Sequence, residues 1–485
     1  MKSDRQAMFG GTSDGPPAHE AVTSRVLALL AFSATAGVLV EFYDFFIYGY
    51  AAASAFPAVF FPGLPATEAL VFSYLAFGAG FPARVLGAFI FGHYGDTVGR
   101  KYSFVINILV VGLVTFATGI LPGYATLGIA APVLLVVLRI VQGIGLGGEF
   151  GGASSLLAEF GAQRKVRAFW VSLANLGIPL GAMAASGVLL VFSRTFATTG
   201  WRIAMMLSAV IVIPALLARY RLAESPLFER IRHAEQTART PSLAVFKRYS
   251  APIVLLALVS AFQQMDGYVS GTYIISFMRF AGIPLGVTAV IILLSRIGDV
   301  LGVVLSGPFA DLFRRRTVAY AAIGLTTLLS YPFALAIIHK NIPLVMLLQF
   351  LITFFGIGLM HGLAPILTSE SFPTRFRYSG TGLSYNFSAI LGGMIAPPVL
   401  AGLIGSDVIG RWYYVPVVYV IYCAAAMTGV RFVRETRDLR IDDLDEQEGR
   451  PPGDPRGSRD GLVPPVVSPR AVGQSGGPLG GTRGG

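Results

Sequence analysis

The amino-acid sequence predicts an all-α integral membrane protein with twelve transmembrane helices in two six-helix pseudo-repeats. Three observations support this prediction: an apolar composition, a series of long apolar segments, and a short charged loop that recurs in the second half. Of the 485 residues, 54% are hydrophobic and 13% are charged, whereas a soluble protein has about 25% charged residues. This composition is typical of a chain that folds in lipid.

The apolar segments are each about 20 residues long, which is enough to cross a hydrocarbon core of about 30 Å. Their approximate centres are Val38, Phe81, Leu113, Val141, Gly181, Ile211, Leu258, Val303, Leu325, Phe355, Gly392 and Val418. The 57 glycines are expected where membrane helices pack closely.

The recurring loop lies between the second and third segments, where the sequence from Gly92 to Lys101 is GHYGDTVGRK. Its glycines allow a tight reversal, and Asp96 can pair with Arg100 or with a helix terminus. A weaker copy, GPFADLFRRR, begins 215 positions later at Gly307 and has Arg314 in place of the third glycine. A repeat at this distance indicates two similar halves.

The two loops resemble those between helices 2 and 3, and 8 and 9, of the major facilitator superfamily. That resemblance implies a gate on the cytoplasmic side, and a basic turn without a gating role is the alternative. Glu159 and Glu370, which lie 211 positions apart near cations at helix ends, are a second matched pair. The residues expected in the gate are Gly92, Asp96, Gly99, Arg100, Lys101, Glu159, Asp311, Arg315, Glu370 and Arg375.

The net charge of +11 reflects membrane topology. Lys and Arg collect in alternate loops, with seven from Arg219 to Arg248, while residues 54–69 and 122–129 contain none. Cytoplasmic loops are enriched in Lys and Arg, so both termini and the central loop are predicted to face the cytoplasm. The same distribution argues against nucleic-acid binding.

The single cysteine, Cys423, excludes an intrachain disulfide, and no spacing suggests a metal site or a cofactor. The polar N-terminal segment does not have the apolar core of a cleaved signal peptide. Membrane enzymes are disfavoured because the sequence contains no nucleotide-binding loop and no nucleophile arrangement in a supporting context.

The first apolar segment carries two carboxylates, Glu41 and Asp44, in the run VEFYDFFIYG that starts at Val40. They share a helix face, and ionisable groups in a membrane usually face a cavity or a partner. The run resembles the first helix of the metabolite:proton symporter family, with Phe42 where that family usually has tryptophan. The resemblance implies proton coupling or substrate contact, for which Tyr48 is also a candidate. A purely structural acid pair is the alternative.

Arg84, in the second segment, is a possible partner for Glu41 or Asp44. The sequence alone does not choose between these two carboxylates, and a place near the cavity wall is a further alternative.

The fourth segment contains RIVQGIGLGGEFGG, beginning at Arg139. Arg139 and Gln142 lie on one helix face, whereas Glu149 lies roughly 15 Å along the axis from Arg139. The segment strongly resembles the Arg-x-x-Gln-Gly-x-x-x-Gly-Gly-Glu signature of the symporter family. That resemblance implies that Arg139 acts in proton transfer or in binding an anion, while a structural salt bridge is the alternative.

In the second half, Asp266 has no local partner in sequence, so it is a candidate proton carrier or else a solvated residue near the surface. Arg296 and Asp299 can neutralise each other across one turn. His361 is a candidate packing residue, and Asn386 could offer a hydrogen bond to the cavity.

The sequence predicts a disordered cytoplasmic N-terminus (1–24), two six-helix bundles (25–220 and 251–433), a cytoplasmic linker (221–250) and a disordered cytoplasmic tail (434–485). The tail is rich in Pro and Gly and shows no heptads. A C-terminal coiled coil of the kind found in some osmosensing members of the family is therefore unsupported.

The resemblance covers roughly residues 26–438 and implies alternating access around a central cavity. The function it implies is proton-coupled import of a small organic anion, such as a mono- or dicarboxylate or a shikimate-like acid. Arg139 would attract the carboxylate, and one of Glu41, Asp44 and Glu149 would carry the proton. The alternatives are a proton symporter of zwitterionic osmolytes such as proline or betaine and, more remotely, a non-transporting membrane sensor.

The partners expected are a small-molecule substrate, a proton and the lipid bilayer. We expect a monomer in the inner (plasma) membrane. The residues expected to contact substrate or proton are Glu41, Asp44, Tyr48, Arg84, Arg139, Gln142, Glu149, Asp266 and Asn386.

Overall fold

The computed structural model describes residues 24–97, 100–147, 167–173, 175–211 and 242–435, and these residues form helices and connecting turns without a strand. Eight helices in this part of the chain are long and apolar enough to cross a membrane, and three shorter apolar helices accompany them. The 31-residue first helix completes the set of twelve. All twelve predicted segment centres lie within these helices, so the all-α, twelve-helix prediction is confirmed.

We number the twelve helices in chain order. They are α1 (Ser24–Ser54), α2 (Ala66–Gly78 and Gly80–Thr97), α3 (Arg100–Ile120), α4 (Ala130–Leu146), α5 (Gly177–Val191), α6 (Phe196–Ile211), α7 (Ser250–Phe280), α8 (Leu285–Leu312), α9 (Arg315–Ile338), α10 (Ile342–Ser369), α11 (Thr374–Ala389, continuing through Ile390–Met394 to Ala396–Ile404) and α12 (Val408–Phe432). Short helices at Phe56–Phe60, Tyr124–Leu127, Arg167–Leu173 and Ser242–Arg248 lie between them.

Proline and glycine mark the turns between the helices. α2 begins after Pro65, α8 after Pro284 and α11 after Pro373, each in an extended backbone conformation. Proline has no backbone N–H to contribute and restricts the residue before it, so helices begin naturally beside it. Gly282 and Gly405 have φ values of 82° and 55°, which glycine adopts without the penalty that a Cβ would bring.

Close packing of α4 against α2 places the arginines of the two helices near each other. A Cβ on Gly143 would collide with the carbonyl oxygen of Gly80, and a Cβ on Gly147 would collide with that of Arg84. A Cβ on Gly80 would in turn stand 3.0 Å from Nε of Arg139. The helices can approach this closely only because small residues occupy the contact.

The two halves meet where α5 lies along α8 and where α2 lies along α11. At the end of the bundle that the charge distribution predicts to be extracellular, the halves are joined by hydrogen bonds. The Tyr74 hydroxyl lies 2.9 Å from Oγ of Ser276, which also donates to the carbonyl of Ala53 at 2.9 Å. Arg279 donates to the carbonyl of Ser54 at 2.8 Å. These contacts close that end of the interface.

Three helices of the second half contain a π-helical turn near mid-span: Val269–Tyr273 in α7, Thr353–Leu359 in α10 and Ile390–Met394 in α11. Such turns are rare and are often found at functional sites. They bring the backbones of these helices close to the buried polar side chains described below.

Candidate functional site

Glu41 and Arg84 form a buried ion pair between α1 and α2. Nη2 of Arg84 lies 2.6 Å from Oε1 of Glu41, and both side chains are at most 2% exposed. The Arg84 guanidinium also lies 5.3 Å from the centre of the Phe45 ring and 5.8 Å from that of Tyr385, which belongs to α11. The structure therefore selects Glu41, of the two carboxylates considered, as the partner of Arg84.

Asp44 is linked to Arg139 through two neutral side chains. The Thr115 hydroxyl lies 3.0 Å from Oδ2 of Asp44 and accepts from Nε2 of Gln142 at 2.8 Å. Gln142 Oε1 in turn accepts from Nη1 of Arg139 at 2.5 Å. Helices α1, α3 and α4 thus share one continuous polar chain, and Oδ1 of Asp44 has no hydrogen-bond partner among the described residues.

The Arg139 guanidinium lies in an aromatic enclosure, and its hydrogen bonds within the described part of the chain go to neutral oxygens. Its Cζ is 4.2 Å from the ring centre of Phe45, 4.4 Å from that of Tyr48 and 4.8 Å from that of Phe77. Nε donates to the carbonyl of Phe77 at 3.0 Å, while Nη2 has no hydrogen-bond partner in the described part of the chain. Arg139 is 1% exposed, so this donor is buried.

A ring from the second half covers this enclosure. The centre of the Tyr268 ring in α7 lies 5.5 Å from that of Phe77 and 5.2 Å from that of Phe81, in edge-to-face contacts. A Cβ on Gly393, in the π-helical turn of α11, would collide with the Tyr268 ring. The aromatic enclosure is therefore built from both halves.

Asp266 is fully buried in α7, which answers the question left open by its sequence. Its Oδ1 accepts from the Tyr419 hydroxyl of α12 at 2.5 Å, while Oδ2 has no hydrogen-bond partner among the described residues. Oδ2 packs so closely against Gly356, in the π-helical turn of α10, that a Cβ there would collide with it.

Arg296 and Asp299 pair within α8, at 3.5 Å between Nη1 and Oδ2. Nδ1 of His361 lies 3.4 Å from Oδ1 of the same carboxylate. The Arg296 guanidinium is 4.6 Å from the Phe46 ring centre of α1, and its Nε and Nη2 have no partner within the described residues. His361 therefore contacts the pair formed by Arg296 and Asp299. The sequence had suggested only a packing role for this histidine.

A small cavity with room for about one water molecule lies between the halves, lined by residues of α7, α10 and α11, by Asn175, which precedes α5, and by Ile178 in α5. Tyr385 lines it, whereas its neighbour Asn386 does not. Asn386 is buried, and its Oδ1 has no hydrogen-bond partner among the described residues. The cavity lies toward the basic end of the bundle, since Asn175 precedes α5 and His361 lies in the last turns of α10.

Three of the residues expected in a gate lie together where α8 meets α9. Nε of Arg315 is 3.2 Å from Oε2 of Glu370, and its Nη2 is 3.7 Å from Oδ1 of Asp311. The Glu435 carboxylate accepts from the backbone N–H groups of Arg315 and Arg316 at 3.0 and 3.1 Å. These four side chains tie α8, α9, α10 and the end of α12 together.

Eight of the residues expected at the site or in the gate lie wholly or partly outside the described part of the chain. Gly99, Glu149 and Glu159 lie outside the described residues. For Gly92, Asp96, Arg100, Lys101 and Arg375, only the helical backbone is described. Across the described residues, no group of three or more His, Cys, Asp and Glu side chains could hold a metal ion.

Sequence reasoning did not identify Thr115 and Tyr419, the partners of Asp44 and Asp266. For Asp266 itself the sequence does contain a repeat. Asp44 and Gly49 of α1 recur as Asp266 and Gly271 of α7, 222 positions later in each case. No comparable signal marks Thr115 or Tyr419. Each lies on a helix distant in sequence from its carboxylate, and only packing brings it there.

Residues 30–244 match the family described as "Sugar (and other) transporter", and residues 256–469 match the "Major Facilitator Superfamily". The chain is 36% identical over 406 residues to an inner membrane metabolite transport protein of Escherichia coli, YhjE, a match that covers 81% of this chain and 91% of that protein.

Two further relatives carry more specific names. The shikimate transporter of Escherichia coli is 32% identical over 417 residues, which is 82% of this chain and 93% of that protein. The proline/betaine transporter of Salmonella typhimurium is 31% identical over 410 residues, which is 80% of each chain. In the fold comparison, a proton:xylose symporter, XylE, aligns with a TM-score of 0.69 at 16% identity over 88% of this chain and all of the other.

Proposed function

This chain belongs to the major facilitator superfamily and is a secondary transporter of metabolites, and we propose that it imports a small organic anion together with a proton. The family assignment confirms the resemblance seen in the loops and in the first and fourth helices, and it excludes an enzyme. The anion that we propose is a mono- or dicarboxylate or a shikimate-like acid, which the 32% identity to a shikimate transporter supports. Transport would proceed by alternating access.

The observation that carries this proposal is a buried donor of Arg139, Nη2, which has no hydrogen-bond partner among the described residues. A charged residue at the centre of a membrane helix costs about 2.5–3.5 kcal/mol on insertion scales, and such a residue is normally offset by a partner. The described bonds of Arg139 go to a carbonyl and an amide oxygen, and Nη2 makes none. A substrate carboxylate would supply the missing acceptor through a charge-assisted hydrogen bond.

Asp44 is the carboxylate that we propose carries the proton. Glu41 is engaged with Arg84 at 2.6 Å, and the placement of Glu149 is not described. Asp44 has one oxygen at Thr115 and one without a hydrogen-bond partner within the described residues. It is therefore the better placed of the two described acids to change its charge.

The surroundings of Thr115 suit both charge states of Asp44. A hydroxyl has one donor and two acceptor positions, and Thr115 Oγ1 has three neighbours: Asp44 Oδ2, Gln142 Nε2 and, at 2.9 Å, the carbonyl of Val111. When Asp44 is ionised, Thr115 donates to it. When Asp44 is protonated, its O–H can donate to Thr115, which then donates to Val111. Neither state requires a heavy atom to move.

The same chain couples the proton to the substrate. Because Gln142 bonds both Thr115 and Arg139, a change at Asp44 alters the hydrogen bond next to the guanidinium that we assign to the anion. Buried hydrogen-bond chains of this kind respond cooperatively. The proposed symport then needs no direct contact between proton carrier and substrate.

We propose the orientation predicted by the charge distribution, with the basic end and both termini in the cytoplasm of a monomer in the inner membrane. The Arg315 cluster would then belong to the cytoplasmic gate. Removal of Cys423, followed by single cysteines introduced at Ala58 and Leu312 and tested with an impermeant thiol reagent on intact cells, checks this topology. Labelling of the Leu312 position from outside would contradict it.

The decisive test is uptake into proteoliposomes of labelled shikimate, 2-oxoglutarate, citrate, a benzoate-type acid, proline and betaine, each with and without an inward proton gradient. We expect gradient-driven uptake of an acid and its loss in Arg139→Ala. Arg411→Gln, which removes an exposed arginine paired with Asp407, serves as the control and should transport normally. Unaltered gradient-driven uptake in Arg139→Ala would refute the assignment.

The second candidate is a proton symporter of zwitterionic osmolytes. The specific observation in its favour is that Arg139, whose Nη2 has no hydrogen-bond partner among the described residues, lies near acids and aromatic rings. Aromatic enclosures also recognise quaternary ammonium groups. The 31% identity to a proline/betaine transporter is consistent with it. Uptake of betaine or proline alone, rising with osmolality, would establish this alternative.

A further inference from the structure

Asp266 in α7 is a fully buried carboxylate whose hydrogen bonding repeats that of Asp44 in α1. Asp44 has one oxygen beside the hydroxyl of Thr115 and one without a hydrogen-bond partner among the described residues. Asp266 accepts from the Tyr419 hydroxyl at 2.5 Å through Oδ1, and its Oδ2 has no partner in the same part of the chain. The two acids lie 222 positions apart, each five residues before a glycine in the first helix of its half.

Each acid also interacts electrostatically with an arginine that lies beside a phenylalanine of α1. Cζ of Arg139 is 4.2 Å from the ring centre of Phe45, and Cζ of Arg296 is 4.6 Å from that of Phe46. Nη2 of each arginine has no hydrogen-bond partner among the described residues. The second half therefore contains a counterpart of the arrangement to which we assign the proton and the anion in the first half.

The charges around Asp266 do not balance when every acid is ionised. The charged groups that act on it are Arg296 and Asp299 of α8, which are fully buried and lie 3.5 Å apart. From α10, Nδ1 of His361 lies 3.4 Å from Oδ1 of Asp299. One arginine thus faces two carboxylates, and a bound proton removes the surplus negative charge. A buried charge without a partner is so costly that the group binds a proton instead.

Asp266 is the member of this cluster best placed to bind that proton. Asp299 already contacts Arg296 and His361. The hydrogen bond that the described residues give to the Asp266 carboxyl group comes from a neutral hydroxyl, that of Tyr419. His361 also lines the small cavity toward the basic end, which has room for about one water molecule. A titratable imidazole therefore lies between the cluster and that end.

We propose that Asp266 is a second proton-binding site and that each transport cycle carries two protons, one on Asp44 and one on Asp266. The Asp266 carboxylate takes its proton from water on the outside, becomes a neutral acid, and returns the proton to water on the inside. The inference rests on the proposed function, because it adds a proton to the symport assigned to Asp44. Two protons with a monocarboxylate move one net positive charge inward, so uptake responds to the membrane potential.

Infrared spectroscopy of the purified full-length protein tests the protonation of Asp266 without a substrate. A protonated carboxylic acid has a carbonyl stretch that an ionised carboxylate does not have, so at neutral pH Asp266→Asn should remove part of that band. Tyr419→Phe removes the hydrogen bond to Oδ1 and should shift the same part to higher wavenumber, which gives the result if Asp266→Asn does not fold. Asp407→Asn, at an exposed pair, is the control. A band that neither variant changes would overturn the inference.

The number of protons is measured as equilibrium accumulation in proteoliposomes whose membrane potential is held at zero with valinomycin and equal K⁺ on both sides. The probe is labelled shikimate, or the compound of the uptake panel that the native protein transports fastest. Each coupled proton multiplies accumulation about tenfold per pH unit. A gradient of about one unit should therefore give about hundredfold accumulation by the native protein and by Asp407→Asn, and about tenfold by Asp266→Asn. Equal accumulation by the native protein and Asp266→Asn would overturn the inference and leave the proposed function intact.

The remaining outcomes separate the two proposals. Accumulation of about tenfold by the native protein that Asp266→Asn abolishes would mean a single proton site, and it would overturn the assignment of two. Accumulation that follows a Na⁺ gradient in place of the proton gradient would overturn both proposals. If no compound of the panel is transported while the infrared band depends on Asp266, the proposed symport fails and the protonation of Asp266 stands.

Discussion

Nη2 of Arg84 lies 2.6 Å from Oε1 of Glu41 in a site where neither side chain is more than 2% exposed. The pair joins α1 to α2 beside the polar chain that runs from Asp44 to Arg139. With Arg84 matched to Glu41, Nη2 of Arg139 and Oδ1 of Asp44 have no hydrogen-bond partner among the described residues. This division of partners is the structural basis of the proposed symport.

We expect either half of this pair to be costly to remove alone. Glu41→Gln and Arg84→Gln each remove one partner of a buried ion pair, so each should lower the free energy of unfolding by about 3–5 kcal/mol. The double variant should recover much of that loss. Denaturation in detergent micelles measures these values, with Asp407→Asn, at an exposed pair, as a control that changes stability by less than about 1 kcal/mol. Strictly additive single losses would contradict the pairing.

Thr115 should be required for coupling while being dispensable for binding. In Thr115→Val the hydroxyl between Asp44 and Gln142 is lost, and we expect proton-driven accumulation to fall about tenfold, the scale of one buried hydrogen bond. Substrate exchange without a gradient should persist. Thr115→Ser should restore accumulation, and Thr118→Val should behave like the native protein. If Thr115→Val accumulates substrate normally, the proposed relay does not operate.

In the second half, the hydrogen bond between Asp266 and Tyr419 corresponds to the bond between Asp44 and Thr115 in the first half. It joins α7 to α12 at 2.5 Å. Tyr419→Phe removes the hydrogen bond to Oδ1 of Asp266, and Oδ2 has no hydrogen-bond partner among the described residues. We therefore expect the free energy of unfolding to fall by about 1–3 kcal/mol. A double-mutant cycle with Asp266→Asn should show coupling. Tyr331→Phe, at an exposed ring, controls for the loss of a hydroxyl. An absence of coupling would mean that the bond contributes nothing.

Glu370 should affect the rate of transport and leave binding unchanged. It holds Arg315 where α8 meets α9, away from the Arg139 enclosure, so Glu370→Gln should reduce maximal uptake while KM stays within about twofold. Rate changes at constant KM are expected where a residue acts on a conformational step. Initial-rate kinetics in proteoliposomes test this, with Arg411→Gln as the control. A large rise in KM at constant rate would contradict a gating role.

The sequence by itself determined the number of helices, the two similar halves and the identity of the charged residues inside the membrane. Each of these is a local property. An apolar run of sufficient length forms a membrane helix wherever it occurs, and an acid or arginine at its centre is recognisable without knowledge of its neighbours. Glu41, Asp44, Arg84, Arg139 and Asp266 could all be named in this way.

Only the tertiary structure decided which of these charges meet. From the sequence, Arg84 could pair with either acid of α1. Its pairing with Glu41 depends on the rotation of α2 about its axis. The close contact between Gly80 and Gly143 sets that rotation. Asp266 accepts a hydrogen bond from Tyr419, which lies 153 positions away in the sequence. Such partners are chosen by helix packing, because a backbone contact elsewhere in the bundle turns a side chain toward one neighbour and away from another.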